Sequence, residues 1–448
     1  MKDFTEGSEA RLILQFSVPL VLGNIFQNLY NIVDSVIVGN FLGKEALGAV
    51  GASFPVIFTL ISMVIGVGSG ASTVISQYFG AKQLDQVRKT IDTIFIFFLL
   101  SSILVTFIGI IFSRSIFILL QLPDEMLSDA VTYLNIYLSG MFFFFGFAGI
   151  TSILRGLGDS KTPLYFMILS TAINIIFDLL FVIVFKWGIE GVALATVVSQ
   201  ALAFFSATWY LNKKHMVINL SIRKYIFDRS IFKSCVKIGL PTGFQQSFIA
   251  FGMMAIMGIV NTFGTNAVAA YTAAMRVDSF AKMPALTFSS ALSSFVGQNL
   301  GAFQEARARK GLKITLAFSL AYSLLISLVI IVFGKYIIQI FTPDEAVIAI
   351  GQDYLVIVSS FYLLLSVMFT FTGFLRGAGA TLVPMLTTMT ALYLVRIPLA
   401  FWLSNRIGVN GIWWAEPAAW FVGMVIMIIY YYSGKWKGKV VVEPSDLK

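Results

Sequence analysis

The chain is poor in the residues that enzyme catalysis, metal binding and disulfides require. Its 448 residues include one cysteine, Cys235, and one histidine, His215. A single cysteine excludes an intrachain disulfide, and the sequence contains no nucleophile–base set, metal-thiolate spacing or dinucleotide-binding fingerprint. His215 follows two lysines, and we interpret it as a solvated loop residue. We therefore expect a protein that is not an enzyme and that binds no cofactor.

Charged residues are also scarce, at 12% of the chain against 58% hydrophobic residues. A soluble protein of this length has too little interior for so much apolar surface, so we expect the chain to lie in a lipid bilayer. At about 20 apolar residues per crossing, the sequence predicts twelve spans. They run approximately over 12–40, 46–78, 91–112, 130–154, 162–186, 190–212, 232–262, 267–298, 312–334, 350–375, 382–404 and 408–432.

The basic excess, a net charge of +9, has a topological explanation. When the 31 lysines and arginines are assigned to alternating sides of the spans, 23 fall on one side, and Arg276, Lys282 and Arg396 are assigned to neither. The other side receives only five: Lys44, Arg114, Lys186, Lys335 and Arg406. The positive-inside rule then predicts cytoplasmic termini in a plasma (inner) membrane. We expect no nucleic-acid partner, and the sequence leaves the oligomeric state open, with a monomer sufficient for this topology.

Parts of the sequence occur twice at a nearly constant spacing. Leu154-Arg155-Gly156 and Leu375-Arg376-Gly377 are 221 residues apart, and Gln77 with Gly80-Ala81 returns as Gln298 with Gly301-Ala302. Such repeats predict two homologous membrane halves related by a pseudo-twofold axis along the membrane normal. The predicted fold is an all-α polytopic membrane protein with twelve transmembrane helices in two six-helix lobes. The predicted parts are an N-terminal lobe (1–212), a cytoplasmic linker (213–231) and a C-terminal lobe (232–448).

The first span carries five polar residues that lipid would exclude. Asn24, Gln27, Asn28, Asn31 and Asp34 share one helical face. Hydrogen bonding between helices explains such residues in part, but five of them favour a water-filled cavity. An ionised aspartate at the bilayer centre costs at least ~2.5–3.5 kcal/mol. Asp34 is therefore a candidate functional residue, with a structural ion pair as the alternative.

Three more polar residues complete a candidate cation site with Asp34. Asn174 and Asp178 are four residues apart in the fifth span and share a face, and Thr196 lies in the sixth span. Two carboxylates, an amide and a hydroxyl form an all-oxygen set that suits a hard cation such as Na⁺. Neighbouring, partly desolvated acids also bind protons. The residues leave Na⁺ and H⁺ open as the coupling ion, and these four are the metal ligands if it is Na⁺.

The second half has charges of its own: Arg276, Asp278, Lys282, Arg396 and Glu416. Asp278 and Lys282 are four residues apart and are expected to pair on one helical face. Arg396 and Glu416 fall near the repeat positions of two predicted cation ligands. Mutually neutralised structural pairs and a role in substrate binding remain open for these charges. The residues expected to line a cavity are Asn24, Gln27, Asn28, Asn31, Gln245, Arg276, Lys282, Arg396 and Glu416.

The order of these motifs resembles the multidrug and toxic compound extrusion (MATE) family over nearly the whole chain. The resemblance rests on two six-span lobes, a first span running from Pro19 through Asp34 to Val38-Gly39, the Gln77…Gly80 motif and the paired Leu-Arg-Gly turns. It implies an inward- or outward-facing V with the substrate between or within the lobes. A drug or metabolite leaves as Na⁺ or H⁺ enters.

The likeness is greatest to the branch of the family that holds its cation in the N-terminal lobe. In that branch the ligands match Asp34, Asn174, Asp178 and Thr196, and a proline whose helix bends during coupling matches Pro19. Another branch keeps acids in the seventh and tenth spans. This chain has Gln245 and Gln246 in the seventh span and only Asp353 at the edge of the tenth, so a C-terminal cation site of that type is not expected.

The function expected from these residues is cation-coupled export of amphipathic organic compounds, chiefly cations held by apolar contact and cation–π attraction. One alternative is a lipid or lipid-linked oligosaccharide flippase of related architecture, for which Arg276, Lys282 and Arg396 would hold a pyrophosphate. A second alternative, an integral-membrane transferase, requires clustered acids or a histidine at a membrane face, and the sequence has neither.

Overall fold

A computed structural model describes residues 2–214 and 225–442, and every regular element within those ranges is a helix. The predicted all-α architecture is therefore confirmed. His215 lies outside the described residues, as does most of the predicted linker 213–231.

The first half contains six predicted spans and seven helices. They are α1 (Glu9–Phe41), α2 (Lys44–Gly80), α3 (Leu84–Leu119), α4 (Asp124–Ser139), α5 (Met141–Gly156), α6 (Lys161–Leu179) and α7 (Gly188–Lys214). A π-helical stretch, Leu180–Val184, prolongs α6.

The second half repeats this order. Its helices are α8 (Arg229–Asn261), α9 (Thr265–Gly301), α10 (Glu305–Gln339), α11 (Glu345–Ser359), α12 (Tyr362–Gly377), α13 (Leu382–Met389), α14 (Ile397–Ile407) and α15 (Asn410–Tyr432). A π-helical stretch, Thr390–Arg396, joins α13 to α14, and a short 3₁₀ turn, Lys437–Lys439, follows α15. Because α2 and α9 both have 37 residues and start 221 positions apart, the duplication extends to the lengths of the elements.

Two predicted spans are broken rather than continuous. The prediction treats 130–154 and 350–375 as single helices, but α4 meets α5 at 53° and α11 meets α12 at 51°. Gly140 stands at the first break, where an added Cβ would lie 2.6 Å from Val197 of α7. The second break, at Ser360–Phe361, has no glycine. The bend therefore belongs to the fold that both halves share.

The described helices account for twelve spans. Nine are long and apolar enough to cross a membrane alone, and the two bent pairs add two more. The twelfth is α9, which at 37 residues is as long as α2. It is less apolar than the other eleven because it carries Arg276, Asp278 and Lys282. Twelve transmembrane helices in two six-helix halves are therefore confirmed.

Contacts divide the described residues into two units that exchange parts of their first helices. One unit runs from Val18 to Gly243, and the other combines Asp3–Ser17 with the residues from Phe244 onward. The first turns of α1 therefore pack with the second-half helices, and the first turns of α8 pack with the first-half helices. The division into 1–212, 213–231 and 232–448 stays a prediction of the repeat boundaries, because packing inside α1 and α8 follows different limits.

Glycines explain why the start of α8 packs so closely in the first unit. A Cβ added to Gly70 would lie 2.2 Å from the carbonyl oxygen of Cys235, and one added to Gly66 would lie 2.6 Å from the amide nitrogen of Gly243. Two helix backbones approach this closely only where side chains are absent.

The segment Asp3–Glu9, which we call the N-terminal anchor, is fixed in the second unit. Phe4 is buried, and its amide donates to Gln298 Oε1 at 2.9 Å. Asn299 Nδ2 and Arg307 Nε donate to the carbonyl of Phe4 at 3.1 and 3.0 Å. The Arg307 guanidinium also pairs with Glu9 at 3.2 Å. The anchor satisfies its backbone groups with side chains of α9 and α10.

Candidate functional site

The first unit brings three of the predicted cation ligands together, and the fourth, Thr196, is linked to them through Tyr30. Asp34 of α1, Asn174 and Asp178 of α6 and Thr196 of α7 are all buried, with exposed fractions of 7%, 0%, 0% and 3%. The carboxyl groups of Asp34 and Asp178 are neighbours, and the Asn174 amide adjoins the Asp178 carboxyl. The expectation that Asn174 and Asp178 share a face agrees with this placement.

The polar atoms of this cluster are poorly satisfied by the described protein. Both oxygens of Asp178, both polar atoms of the Asn174 amide and one oxygen of Asp34 are buried without a hydrogen-bond partner among the described residues. A buried polar group without a partner is costly, and an uncompensated charge more so. The set of free oxygens therefore fits a cation or protons, which would remove this cost.

Three tyrosines that the sequence analysis missed surround the two acids. Tyr30 hydrogen-bonds through its hydroxyl to Thr196 Oγ1 at 2.9 Å and lies near both Asp34 and Asp178. Tyr133 and Tyr137 of α4 stack with ring centroids 6.2 Å apart and also face Asp34. One signal was available, because Tyr30 stands four residues before Asp34 and so shares its face.

Helix α1 has two exposed faces from Val18 onward. One is apolar and consists of Leu22, Ile25, Leu29, Ile32 and Val36. The other is polar and contains the predicted cavity residues: Asn24, Gln27 and Asn31 are exposed and Asn28 is partly exposed. Asp34 lies between this polar face and the buried side of the helix. A polar approach to the acid pair is therefore built into α1.

The π-helical stretch Leu180–Val184 begins two residues after Asp178. In a π-helical turn the backbone bonds shift by one residue, and such turns recur at functional sites. The second half has a π-helical stretch at the related place, and it ends at Arg396. In both halves, therefore, a local change of helix geometry lies at or beside a charged residue, which is buried in the first half and partly buried in the second.

The second unit contains a compensated ion network, which we call the C-lobe network: Asp278, Lys282, Arg396 and Glu416. Lys282 Nζ lies 2.5 Å from Asp278 Oδ2 and 2.8 Å from Glu416 Oε1. Arg396 Nη2 lies 2.8 Å from Glu416 Oε2. The predicted pairing of Asp278 with Lys282 is present, and each acid here has a basic partner.

Two other residues predicted to line a cavity lie apart from this network. Arg276 is exposed on α9. Gln245 is buried, and its Nε2 donates to Thr388 Oγ1 at 2.7 Å, which ties α8 to α13. Neither residue contacts the C-lobe network through any bond found in the described ranges.

The buried acids of the two units differ in whether basic side chains lie beside them. No basic side chain of the described residues lies beside Asp34 and Asp178 in the first unit, whereas two bases offset two acids in the second. Among residues 2–214 and 225–442, no group of three or more His, Cys, Asp and Glu side chains could hold a metal ion. A Na⁺ ion in the first unit would therefore need the neutral oxygens of Asn174 and Thr196.

Comparison with known proteins agrees with the fold and the repeat. The MatE family model matches twice, over residues 19–180 and 241–402. The probable multidrug resistance protein YpnP of Bacillus subtilis (strain 168) is 33% identical, over 97% of each chain. A structure described as an outward-facing multidrug resistance MATE family transporter superposes with a TM-score of 0.91 at 22% identity, over 98% of this chain and 99% of that one.

A second structure, described as MATE in the bent conformation, also superposes with a TM-score of 0.91, at 22% identity over 98% of each chain. A duplicated twelve-span fold with buried polar residues is the architecture of a membrane transporter. The chain belongs to the MATE family, whose members are transporters and not enzymes. The family assigned from the sequence motifs is therefore confirmed.

Proposed function

We propose that this protein is an antiporter that exports amphipathic, chiefly cationic organic compounds by alternating access, driven by Na⁺ or H⁺. The observation that carries the proposal is the buried, neighbouring pair Asp34 and Asp178, beside which no basic side chain of the described residues lies. Membrane-embedded acids without partners are expensive, and they mark ion pathways. The relatives named as probable multidrug resistance proteins support the choice of substrate class.

The site accepts either ion by simple chemistry. Na⁺ prefers oxygen ligands, and Asp34, Asn174, Asp178 and Thr196 supply carboxylate, amide and hydroxyl oxygens. A proton shared between two adjacent carboxyl groups removes the same electrostatic cost. In both cases binding neutralises the pair, so the free energy of the lobe depends on whether the ion is present.

Helix α1 carries that difference to the rest of the molecule. Pro19 lies inside α1, fifteen residues or about four turns before Asp34. A proline removes one backbone hydrogen bond and allows the helix to bend. We assign Pro19 the role of a hinge that changes its bend as the Asp34 site gains or loses its ion. Binding then shifts the population between two arrangements, each of which holds one ligand better.

The flippase alternative is disfavoured by the C-lobe network. That alternative needs basic side chains available for a pyrophosphate, but Lys282 and Arg396 are already paired with Asp278 and Glu416. Arg276 alone is exposed. A single cation is poorly matched to a pyrophosphate, which binds best to several charged donors.

The test is transport by the purified protein in liposomes. Efflux of a fluorescent organic cation would be measured under an imposed ΔpH and, separately, an imposed ΔNa⁺. We expect one gradient to drive efflux in the wild type, and Asp34→Asn or Asp178→Asn to abolish it without loss of folded yield. Asp85→Asn, at an exposed position in the first turn of α3, is the control. Intact gradient-driven efflux in either site variant would refute the proposal.

The double variant provides a second criterion. Residues that act as a unit lose their effect together, so the efflux lost in Asp34→Asn/Asp178→Asn should be no greater than that lost in either single variant.

We further propose that the protein lies in the plasma (inner) membrane with both termini in the cytoplasm, because basic residues are concentrated on the side that carries the termini.

A further inference from the structure

We propose that the C-lobe network is a binding site for an organic ammonium group, which the side chain of Lys282 itself occupies until a substrate displaces it. The inference rests on the proposed function for its substrate class, an amphipathic organic cation. It adds a second location to the transport cycle, in the unit that does not contain the cation site.

The surroundings of the Lys282 ammonium are those of a bound alkylammonium ligand. Its nitrogen lies 2.5 Å from Asp278 Oδ2 and 2.8 Å from Glu416 Oε1, and 4.6 Å from the centroid of the Trp420 ring. Two carboxylates and one aromatic face are the groups by which proteins recognise ammonium compounds. The structure therefore contains both a site of this chemistry and an occupant.

The walls of the site are held by groups other than Lys282. Tyr362 donates to Asp278 Oδ1 at 2.7 Å, and the Tyr354 hydroxyl lies 3.3 Å from Asp278 Oδ2 and 3.4 Å from Glu416 Oε2. Arg396 holds Glu416 Oε2 at 2.8 Å. The site would therefore keep its shape when the ammonium of Lys282 leaves.

The charge of the site without Lys282 matches one monovalent cation. The two carboxylates carry two negative charges, and the Arg396 guanidinium offsets one of them. The remaining charge is offset in the structure by Lys282. A buried acid pair left with one net charge is costly, so displacement is favourable only when another cation takes the place of the ammonium.

Lys282 is also the part of the site that an incoming molecule reaches. Its side chain is 16% exposed, against 5% for Asp278 and Glu416. Lysine has a flexible four-carbon stem, so its ammonium can move away while the carboxylates stay.

Competition with Lys282 predicts a measurable affinity change. The apparent affinity for a ligand falls in proportion to the fraction of molecules whose site is free. If Lys282 leaves the site free in about one molecule in ten or fewer, removing it tightens the apparent Kd by about tenfold or more. A purely structural network predicts no such tightening.

The first experiment is equilibrium binding of a dansyl-alkylammonium probe to purified full-length protein, with no gradient. We expect Lys282→Met to lower the Kd for the probe about tenfold or more. We expect Lys313→Met, which removes an exposed lysine of α10, to leave the Kd unchanged. The double variant Lys282→Met/Asp278→Asn should lose the gain, because it restores neutrality. Folded Lys282→Met protein that binds no more tightly than the wild type would overturn the proposal.

The second experiment uses the wild type, so it does not depend on the folding of a variant. A lysine-acetylating reagent would be applied with and without the probe, and acetylation of Lys282 and Lys313 would be quantified by mass spectrometry. Displacement predicts that the probe raises acetylation of Lys282 and not of Lys313. An unchanged Lys282 at saturating probe would overturn the inference.

The two proposals fail in distinguishable ways. Ammonium binding with the expected Lys282 effects but no gradient-driven efflux would remove the proposed function and keep the site. Gradient-driven efflux with neither Lys282 effect would keep the function and remove the site.

Discussion

Asp178 and Asp278 are two buried aspartates whose surroundings have opposite effects on the same substitution. Asp178 has two unsatisfied oxygens and an acidic neighbour, whereas Asp278 is bound by Lys282 and Tyr362. Removing a charge relieves the first site and leaves the partly buried Lys282 ammonium with less compensation at the second. The sign of the stability change is therefore set by the neighbours and not by the residue type.

We expect Asp178→Asn to raise the free energy of unfolding by about 1–3 kcal/mol, and Asp278→Asn to lower it by a similar amount. Thermal unfolding of the detergent-solubilised variants measures both, and Asp85→Asn serves as the exposed control. A loss of stability in Asp178→Asn would contradict the view that this acid is uncompensated.

Sequence reasoning at the residue scale located the charges and the pair Asp278 and Lys282, which share one helix, but not the partners that other helices contribute. Asp34, Asn174, Asp178 and Thr196 were identifiable because polar residues are conspicuous in apolar spans. Tyr133 and Tyr137 were not, because tyrosine is common in membrane helices and these two approach Asp34 from another helix. Such contacts depend on helix packing, which a span prediction does not contain.

At the scale of elements, α1 is divided between two packing environments close to Pro19. Residues up to Ser17 pack in the second unit and those from Val18 in the first. A bend at Pro19 would therefore reorient the part of α1 that carries Asp34 against its anchored start.

We expect Pro19→Ala to preserve folded yield and to reduce gradient-driven efflux about tenfold or more. The substitution restores one backbone hydrogen bond, so bending α1 at this position then costs roughly 1–3 kcal/mol more. Efflux in liposomes measures the effect. Pro55→Ala, a substitution inside α2, is the matched control. Unaltered export by Pro19→Ala would reduce this proline to a static kink.

The N-terminal anchor gives a second prediction for α1. Phe4 is 1% exposed and packs on Phe16 and Phe295, with centroids 5.2 and 5.9 Å away. Phe4→Ala removes this buried ring, which costs roughly 3–5 kcal/mol of local docking energy. Amide hydrogen exchange should then accelerate in residues 4–16 and stay unchanged in residues 229–243, the related start of α8. If the variant and the wild type exchange residues 4–16 at the same rate, Phe4 does not hold the anchor.

The number and approximate limits of the spans were predictable, because hydropathy marks each apolar run. The bends between α4 and α5 and between α11 and α12 were not. An apolar run has the same composition whether its helix is straight or broken, and the second break has no glycine to indicate it.

At the scale of the whole molecule, the charge asymmetry predicts which loops face which compartment. The sparsely charged side contains Lys44 and Arg406, and the basic side contains Lys82 and Lys310. Cys235 is buried, so engineered cysteines can be labelled against a silent background.

In intact cells, a membrane-impermeant maleimide should label Lys44→Cys and Arg406→Cys, and it should label Lys82→Cys and Lys310→Cys only after permeabilisation. The expected contrast is complete rather than partial, because each loop lies on one side. Labelling of Lys82→Cys from outside would invert the topology. The wild type, with Cys235 alone, is the control.

The packing of the first turns of α1 and α8 in opposite units also constrains the order of folding during synthesis. A ribosome delivers the chain N-terminus first, yet the first unit is incomplete until Gly243 has been inserted, because the start of α8 belongs to it. The N-terminal anchor waits longer still, since its partners Gln298, Asn299 and Arg307 are among the later residues to be synthesised. The earliest residues of the chain therefore reach their final place only after residues about 300 positions later have been made, so a nascent chain that ends before α10 has no complete binding site for its own amino-terminal end.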